Sequence, residues 1–173
     1  MISFLEPEKI ISQLELKPDY HVAEFGCGPG GFVIPLARKL FKGMVYALDI
    51  QEEALSALTG RARAEGLNNI RKIRCDLEEP KGSRIQDNLM DLVVVSNILF
   101  QSEHKEAMLK EAKRILKPKG QMLIVDWKKD SPFGPVEGRV ELEDIKAILI
   151  RLELKQKKEL EAGTYHWGVV LEK

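Results

Sequence analysis

Apolar residues recur along this chain with two alternating periods. Compact runs read as buried strands: Val22-Ala23, Val45 to Ile50, Ile70 to Leu77, the long run from Asp91 to Phe100, and Gln121 to Asp126. Between them the apolar positions fall at helical spacing. Ile10, Ile11 and Leu14 mark a helix from Pro7 to Leu16 that Lys17-Pro18-Asp19 ends, and Phe32 to Ala37 opens another. Ala54, Leu55, Leu58 and Ala62 mark one from Glu52 to Glu65, while Met108, Leu109, Ala112, Ile115 and Leu116 form the stripe of a helix from Glu103 to Leu116, with Ser102 as its cap. Lys117-Pro118-Lys119-Gly120 stops that helix. Strands alternating with helices predict a parallel sheet covered on both faces. The end of the chain breaks the alternation. After a helix from Val140 to Leu152, the segment Glu153–Glu161 and the alternating Tyr165, Trp167, Val169 and Leu171 read as two strands joined at Ala162-Gly163. So short a turn forces antiparallel pairing, because a parallel pair needs a long crossover.

The first strand runs into Glu24-Phe25-Gly26-Cys27-Gly28-Pro29-Gly30-Gly31, a glycine-rich turn between strand and helix. Such turns hold nucleotide-like cofactors, since glycine accepts positive φ and lets a ligand approach where a Cβ would stand. Gly26, Gly28 and Gly31 satisfy the dinucleotide pattern G-x-G-x-x-G. The same stretch also reads as acid-x-G-x-G-x-G on Glu24, Gly26, Gly28 and Gly30. The carboxylate favours the second reading: it suits a ligand with a cationic amino-acid end and repels a pyrophosphate.

In this form the turn resembles motif I of the class I S-adenosylmethionine-dependent methyltransferases, and three later features occur in that family's order, so that the likeness spans residues 20 to 172. The resemblance implies a role for each strand end. Asp49, ending the second strand, would accept hydrogen bonds from both ribose hydroxyls. Asp76, ending the third, would take the adenine amino group, with Ile50 and Leu77 as walls of the ring pocket. Ser96 and Asn97, ending the fourth strand, would face the transferable methyl group, and Asp126 at the end of the fifth would face the cleft. The cofactor-binding set implied by the resemblance is Glu24, Gly26, Cys27, Gly28, Gly30, Asp49, Ile50, Asp76, Leu77, Ser96 and Asn97, with Asn97 and Asp126 as catalytic candidates, S-adenosyl-L-methionine as cofactor and S-adenosyl-L-homocysteine as product. The implied fold is a Rossmann-like three-layer α/β/α sandwich, its mostly parallel seven-stranded sheet in the order 3-2-1-4-5-7-6 with a final antiparallel hairpin. Ser96-Asn97-Ile98-Leu99 lacks the Pro-Pro-aromatic sequence of many amino-methylating enzymes. With the later Leu-Lys-Pro-Lys-Gly it is more similar to the small-molecule branch that includes quinone-biosynthesis C-methyltransferases.

Read without the resemblance, Asp49 and Asp76 also suit turns and helix caps, and Ser96-Asn97 suits a cap. Cys27 reads as a small residue filling the turn. His104 and His166 join Asp126 as possible general bases; His104 is expected at a surface, and His166 is expected to face solvent or a neighbouring helix. The segment Trp127–Arg139 is the expected acceptor loop, and residues 1–18 are expected to cover the cofactor site as an N-terminal helix, all within a single methyltransferase domain over 1–173.

Composition narrows the partners. The 27 basic and 27 acidic side chains cancel, which gives no reason to expect long nucleic acid or a membrane surface as partner. No run approaches the ~20 apolar residues of a membrane span, and neither Cys27 nor Cys75 has metal-ligand or disulfide spacing, so a reducing cytoplasm, no metal, and a monomer or homodimer with a small-molecule acceptor are expected. Two other readings remain at this point: a methyltransferase-like partner or regulatory subunit that binds the cofactor without catalysis, and an NAD-dependent oxidoreductase.

Overall fold

A computed structural model describes residues 4–173; residues 1–3 of the expected N-terminal segment lie outside the described residues. Seven strands form one sheet in the order β3-β2-β1-β4-β5-β7-β6. They are β1 (His21–Phe25), β2 (Met44–Asp49), β3 (Ile70–Arg74), β4 (Met90–Ser96), β5 (Leu116–Trp127), β6 (Lys155–Leu160) and β7 (His166–Glu172). The first five run parallel, while β7 inserts antiparallel between β5 and β6. This is the order the resemblance implied.

Helices α1 (Pro7–Ser12), α2 (Val33–Lys39) and α3 (Glu52–Ala64) cover one face; α4 (Lys105–Ile115) and α5 (Leu142–Arg151) cover the other. The core is correspondingly double. Val22, Val45, Val94 and Val125 turn toward Ile10, Leu36 and Leu58, whereas Ala23, Leu48, Val93 and Ile124 turn toward Leu109 and Ile145. The alternation is the period-2 geometry of a strand buried on both sides, which is why these segments read as unbroken apolar runs.

Several boundaries differ from the sequence expectation, each for a local reason. Helix α1 closes at Ser12, because the Ser12 hydroxyl and the Gln13 amide turn back onto the Lys9 carbonyl. Strand β4 stops at Ser96 instead of Phe100: Asn97 takes φ +50°, and the chain then makes a 3-10 turn over Leu99–Gln101. Asparagine is among the few residues that tolerate this left-handed region. Ser102 does not cap α4. Its hydroxyl donates instead to Glu78 Oε1 at 2.5 Å, and α4 begins two residues beyond Glu103, at Lys105. Strand β3 ends at Arg74, short of Leu77, and β5 is longer than expected because Leu116 pairs with Met90 across a bulge. A capping box of Glu141 and Asp144 starts α5.

Candidate functional site

The carboxyl ends of β1, β2 and β4 meet at the glycine turn. The strand order reverses there, between β1 and β4, and a crevice opens at that point in sheets of this kind. A cleft of about 700 Å³ lies there, lined by Gly26, Gly28, Asp49, Ile50, Asp76, Leu77 and Asn97. Glu24, Cys27, Gly30 and Ser96 are buried and line it at no point.

The three alternate glycines serve different ends. A Cβ on Gly26 would stand 2.5 Å from Ile98 Cδ1, and one on Gly30 would stand 2.5 Å from Leu58 Cδ1, so both are glycine for packing. Gly28, at φ +51°, has nothing within 4 Å of its Cβ position, which leaves its surface open to the cleft, and its N–H donates to Asp49 Oδ2 at 2.8 Å. The other oxygen of Asp49 accepts the Gln51 N–H at 2.9 Å. Both bonds fix the carboxylate while each oxygen keeps a second lone pair for a hydroxyl donor. Asp76 is exposed on the opposite lip, its Oδ1 accepting the Glu78 N–H at 2.9 Å in the manner of an Asx turn. Ile50 is 58 % exposed, an apolar wall largely uncovered by protein.

Glu24 is 2 % exposed. Ser96 Oγ lies 3.4 Å from its Oε1, while Oε2 meets no hydrogen-bond donor among the described residues. Burial pushes its pKa well above the ordinary carboxylate range. A buried oxygen left bare behind a glycine turn is a place where an outside donor or cation is wanted. Asn97 Oδ1 is likewise buried and unpartnered at the cleft wall.

The far wall of the cleft is not visible in the sequence. Glu78 accepts both the Ser102 hydroxyl and the Glu103 N–H, which draws the segment after β4 toward the segment after β3, and Gln101, Ser102 and Met108 line that side. The one signal for it is Asn97: a residue suited to positive φ within an apolar run marks a strand that turns, although the apolar run to Phe100 suggests one that continues.

Asp126, like Ser96, is placed otherwise than expected. Asp126 does not line the cleft: it is fully buried, Oδ2 accepting the Leu99 N–H at 3.0 Å and Oδ1 the Trp127 N–H at 2.8 Å. Burial raises its pKa to about 6. Its task is to fasten the 3-10 turn to β5. His166, expected to face solvent or a neighbouring helix, is 2 % exposed on the side of the sheet that α1 covers, with its ring centroid 4.0 Å from that of Trp127. Trp127 itself is packed under its loop, since a Cβ at Gly134 would lie 2.7 Å from the indole. His104, as expected, is exposed. Burial also raises both thiols, Cys75 to about 11 and Cys27 further, which leaves them inert fillers at neutral pH.

Sheet order, acid-preceded glycine turn and acid-tipped strands together are those of the class I S-adenosylmethionine-dependent methyltransferase fold. The methyltransferase domain family matches residues 16–162, and the chain belongs to it. A solved structure of a SAM dependent methyltransferase from Aquifex aeolicus superposes with a TM-score of 0.87 at 27 % identity, covering 98 % of this chain and 90 % of that one. Among curated relatives, a glycine/sarcosine/dimethylglycine N-methyltransferase of Actinopolyspora halophila is 27 % identical over 95 % of this chain and 31 % of its own length. A ubiquinone/menaquinone biosynthesis C-methyltransferase of Paraburkholderia phymatum is 31 % identical over 69 % of this chain. The chain therefore spans about a third to a half of these curated relatives: 31 % of the first and 48 % of the second.

Proposed function

We propose that this protein transfers a methyl group from S-adenosylmethionine to a small-molecule acceptor at the cleft beside Asn97. The observation that carries the reading is the Glu24 carboxyl group, buried at the glycine turn with one oxygen unpartnered. Standing behind the turn and not in the cleft wall, it attracts an ammonium group of a ligand lying against the turn, directly or through water, and repels a dinucleotide phosphate. When bound, the cofactor supplies an electrophilic methyl on a sulfonium.

The residues present fit that group. Asp49 is oriented to accept the ribose hydroxyls, the open surface at Gly28 admits the chain between sugar and amino acid, and Ile50 and Leu77 offer apolar walls for the base, with Asp76 beside them to accept its amino group. Cys27 and Gly30 shape the turn from behind, and Ser96 orients Glu24. Asn97 Oδ1, held at the strand end, accepts from an O–H or N–H of the acceptor and sets its approach. In such a transfer the protein chiefly aligns nucleophile, carbon and sulfur, and positioning supplies much of the rate. No base is assigned, since Asp126 is occupied by backbone N–H groups and His104 is exposed.

The acceptor atoms of the two curated relatives differ, nitrogen in one and carbon in the other, so their names leave the acceptor open. The test is turnover: S-adenosylmethionine is incubated with the protein and fractionated small metabolites, and S-adenosylhomocysteine formation is followed by mass spectrometry. Formation dependent on one fraction, and lost in Asn97→Ala while cofactor affinity persists, supports the reading. Cofactor binding with no turnover on any fraction would favour a cofactor-binding subunit.

A further inference from the structure

A second cavity lies apart from the cofactor cleft and shares no lining residue with it. About 1010 Å³ in volume, it lies between α1 and the top of the β6–β7 hairpin, where Ile10, Ala162, His166 and Trp167 are among its lining. His166 is the one lining side chain that combines near-complete burial with two ring nitrogens, neither of which finds a hydrogen-bond partner among the described residues. We propose that His166 is a specificity-determining residue of the acceptor site, pairing with an O–H or N–H group on a neutral or cationic acceptor whose apolar body lies in this cavity. The inference rests on the methyl-transfer reading.

Three observations support it. The first is position: His166 pairs with Trp127 across β5 and β7, so it stands on the same carboxyl edge of the sheet as Asn97, whose N–H donates to Val125 on β5. The second is the state of the ring. Burial and nearby Lys128 lower its pKa to about 4, so at neutral pH it is an uncharged imidazole offering one donor and one acceptor. A leucine would fill the same space with no polar group to satisfy, and a buried polar group calls for a partner.

The third is charge. Five glutamates line the cavity against Lys9 and Lys128 alone. Lys9 pairs with Glu6 at 2.7 Å and Glu143 with Lys146 at 3.2 Å, which leaves Glu141, Glu159 and Glu161 against Lys128. The surroundings therefore disfavour carboxylate or phosphate acceptors and favour neutral or cationic ones. Phe4 lines the cavity and packs with Phe133 of the 128–139 loop and Tyr165 of the β6–β7 connection, ring centroids 5.0–5.5 Å apart, an aromatic cluster suited to an apolar body or to a cation.

The test uses tyramine, which carries a phenol and an ammonium, and 4-hydroxyphenylacetate, which has a closely similar skeleton ending in a carboxylate. Each is titrated into ¹⁵N-labelled protein saturated with S-adenosylhomocysteine, and the His166 ring nitrogens are observed by NMR. Tyramine is expected to shift them and to bind about tenfold more tightly than the acid, a ratio one favourable charge contact supplies. His166→Leu is expected to fold and to keep its affinity for S-adenosylhomocysteine, yet to lose about tenfold in tyramine affinity, which His166→Gln largely restores. A ring N–H already hydrogen-bonded in the free protein, a ring unmoved by tyramine, or unchanged tyramine affinity in His166→Leu would each overturn the proposal. Failure of the wild type to bind S-adenosylhomocysteine would be a different result: it would remove the methyl-transfer reading and this inference with it.

Discussion

Gly28 separates what the turn needs for folding from what it needs for the cofactor. Its neighbours Gly26 and Gly30 are crowded by Ile98 and Leu58, but a methyl group at Gly28 would enter open space. Gly28→Ala therefore costs only the left-handed backbone, about 1–2 kcal/mol, whereas it places a Cβ on the surface where we propose that the cofactor lies. We expect a modest fall in melting temperature and a much larger proportional loss of S-adenosylhomocysteine affinity, measured by thermal melts and calorimetry on one sample. Loss of stability with affinity intact would show that the cofactor does not touch this turn. At this scale the sequence is informative where side-chain chemistry and position coincide: Asp49, Asp76 and the glycines lie at or just beyond strand ends, and strand ends are visible as the limits of apolar runs. Asp126 and His166 are not legible in that way. A carboxylate at a strand end looks the same whether it faces a cleft or binds Leu99 and Trp127, and a histidine in an alternating strand looks the same whether water or a packed indole covers its ring.

The elements around the cleft are held by two buried polar groups, and each gives a stability prediction. Asp126 ties the 3-10 turn Leu99–Gln101 to β5, so Asp126→Ala strands two backbone N–H groups and is expected to cost about 2 kcal/mol in denaturant unfolding. Its pH dependence has a definite sign. The folded carboxyl keeps its proton up to about 6, while the unfolded one releases it near ~3.9. Between those values the folded state binds more protons, so this group's contribution to stability declines as pH rises through the window. Asp126→Asn is expected to remove that decline, seen as a flatter melting temperature against pH than the wild type shows; identical slopes would refute the assignment. On the same face, Arg114 Nη2 meets Glu111 Oε1 at 2.7 Å and the Ile85 carbonyl at 2.8 Å, and Glu111 accepts the Ser83 N–H at 3.1 Å. This network fastens the connection from β3 to β4 onto α4. Removing its cation leaves Glu111, 5 % exposed, without a counter-charge, and Arg114→Ala is expected to cost about 3 kcal/mol. An unchanged unfolding midpoint would mean the network carries no stability. None of this is readable from the sequence, where Ser83, Glu111 and Arg114 look like ordinary polar positions on a loop and a helix.

Across the whole molecule, the sheet order agrees with rules that the sequence does expose: alternating elements give a parallel sheet, and a short connection around Ala162-Gly163 gives an antiparallel end. Those rules leave open how the connections pack over the carboxyl edge, and there the far wall of the cleft and the second cavity arise. On the proposed reading, the edge near β1 and β2 takes an adenosyl group with a cationic amino-acid end. Calorimetric titration of S-adenosylhomocysteine and of NADH into the wild type, Asp49→Ala and Glu24→Gln decides whether that is so. S-adenosylhomocysteine is expected to bind the wild type, each substitution to weaken it by about tenfold or more, the equivalent of one charge-assisted hydrogen bond, and NADH to give no heat of binding. NADH binding to a wild type that ignores S-adenosylhomocysteine would contradict the assignment of this edge to an adenosyl cofactor.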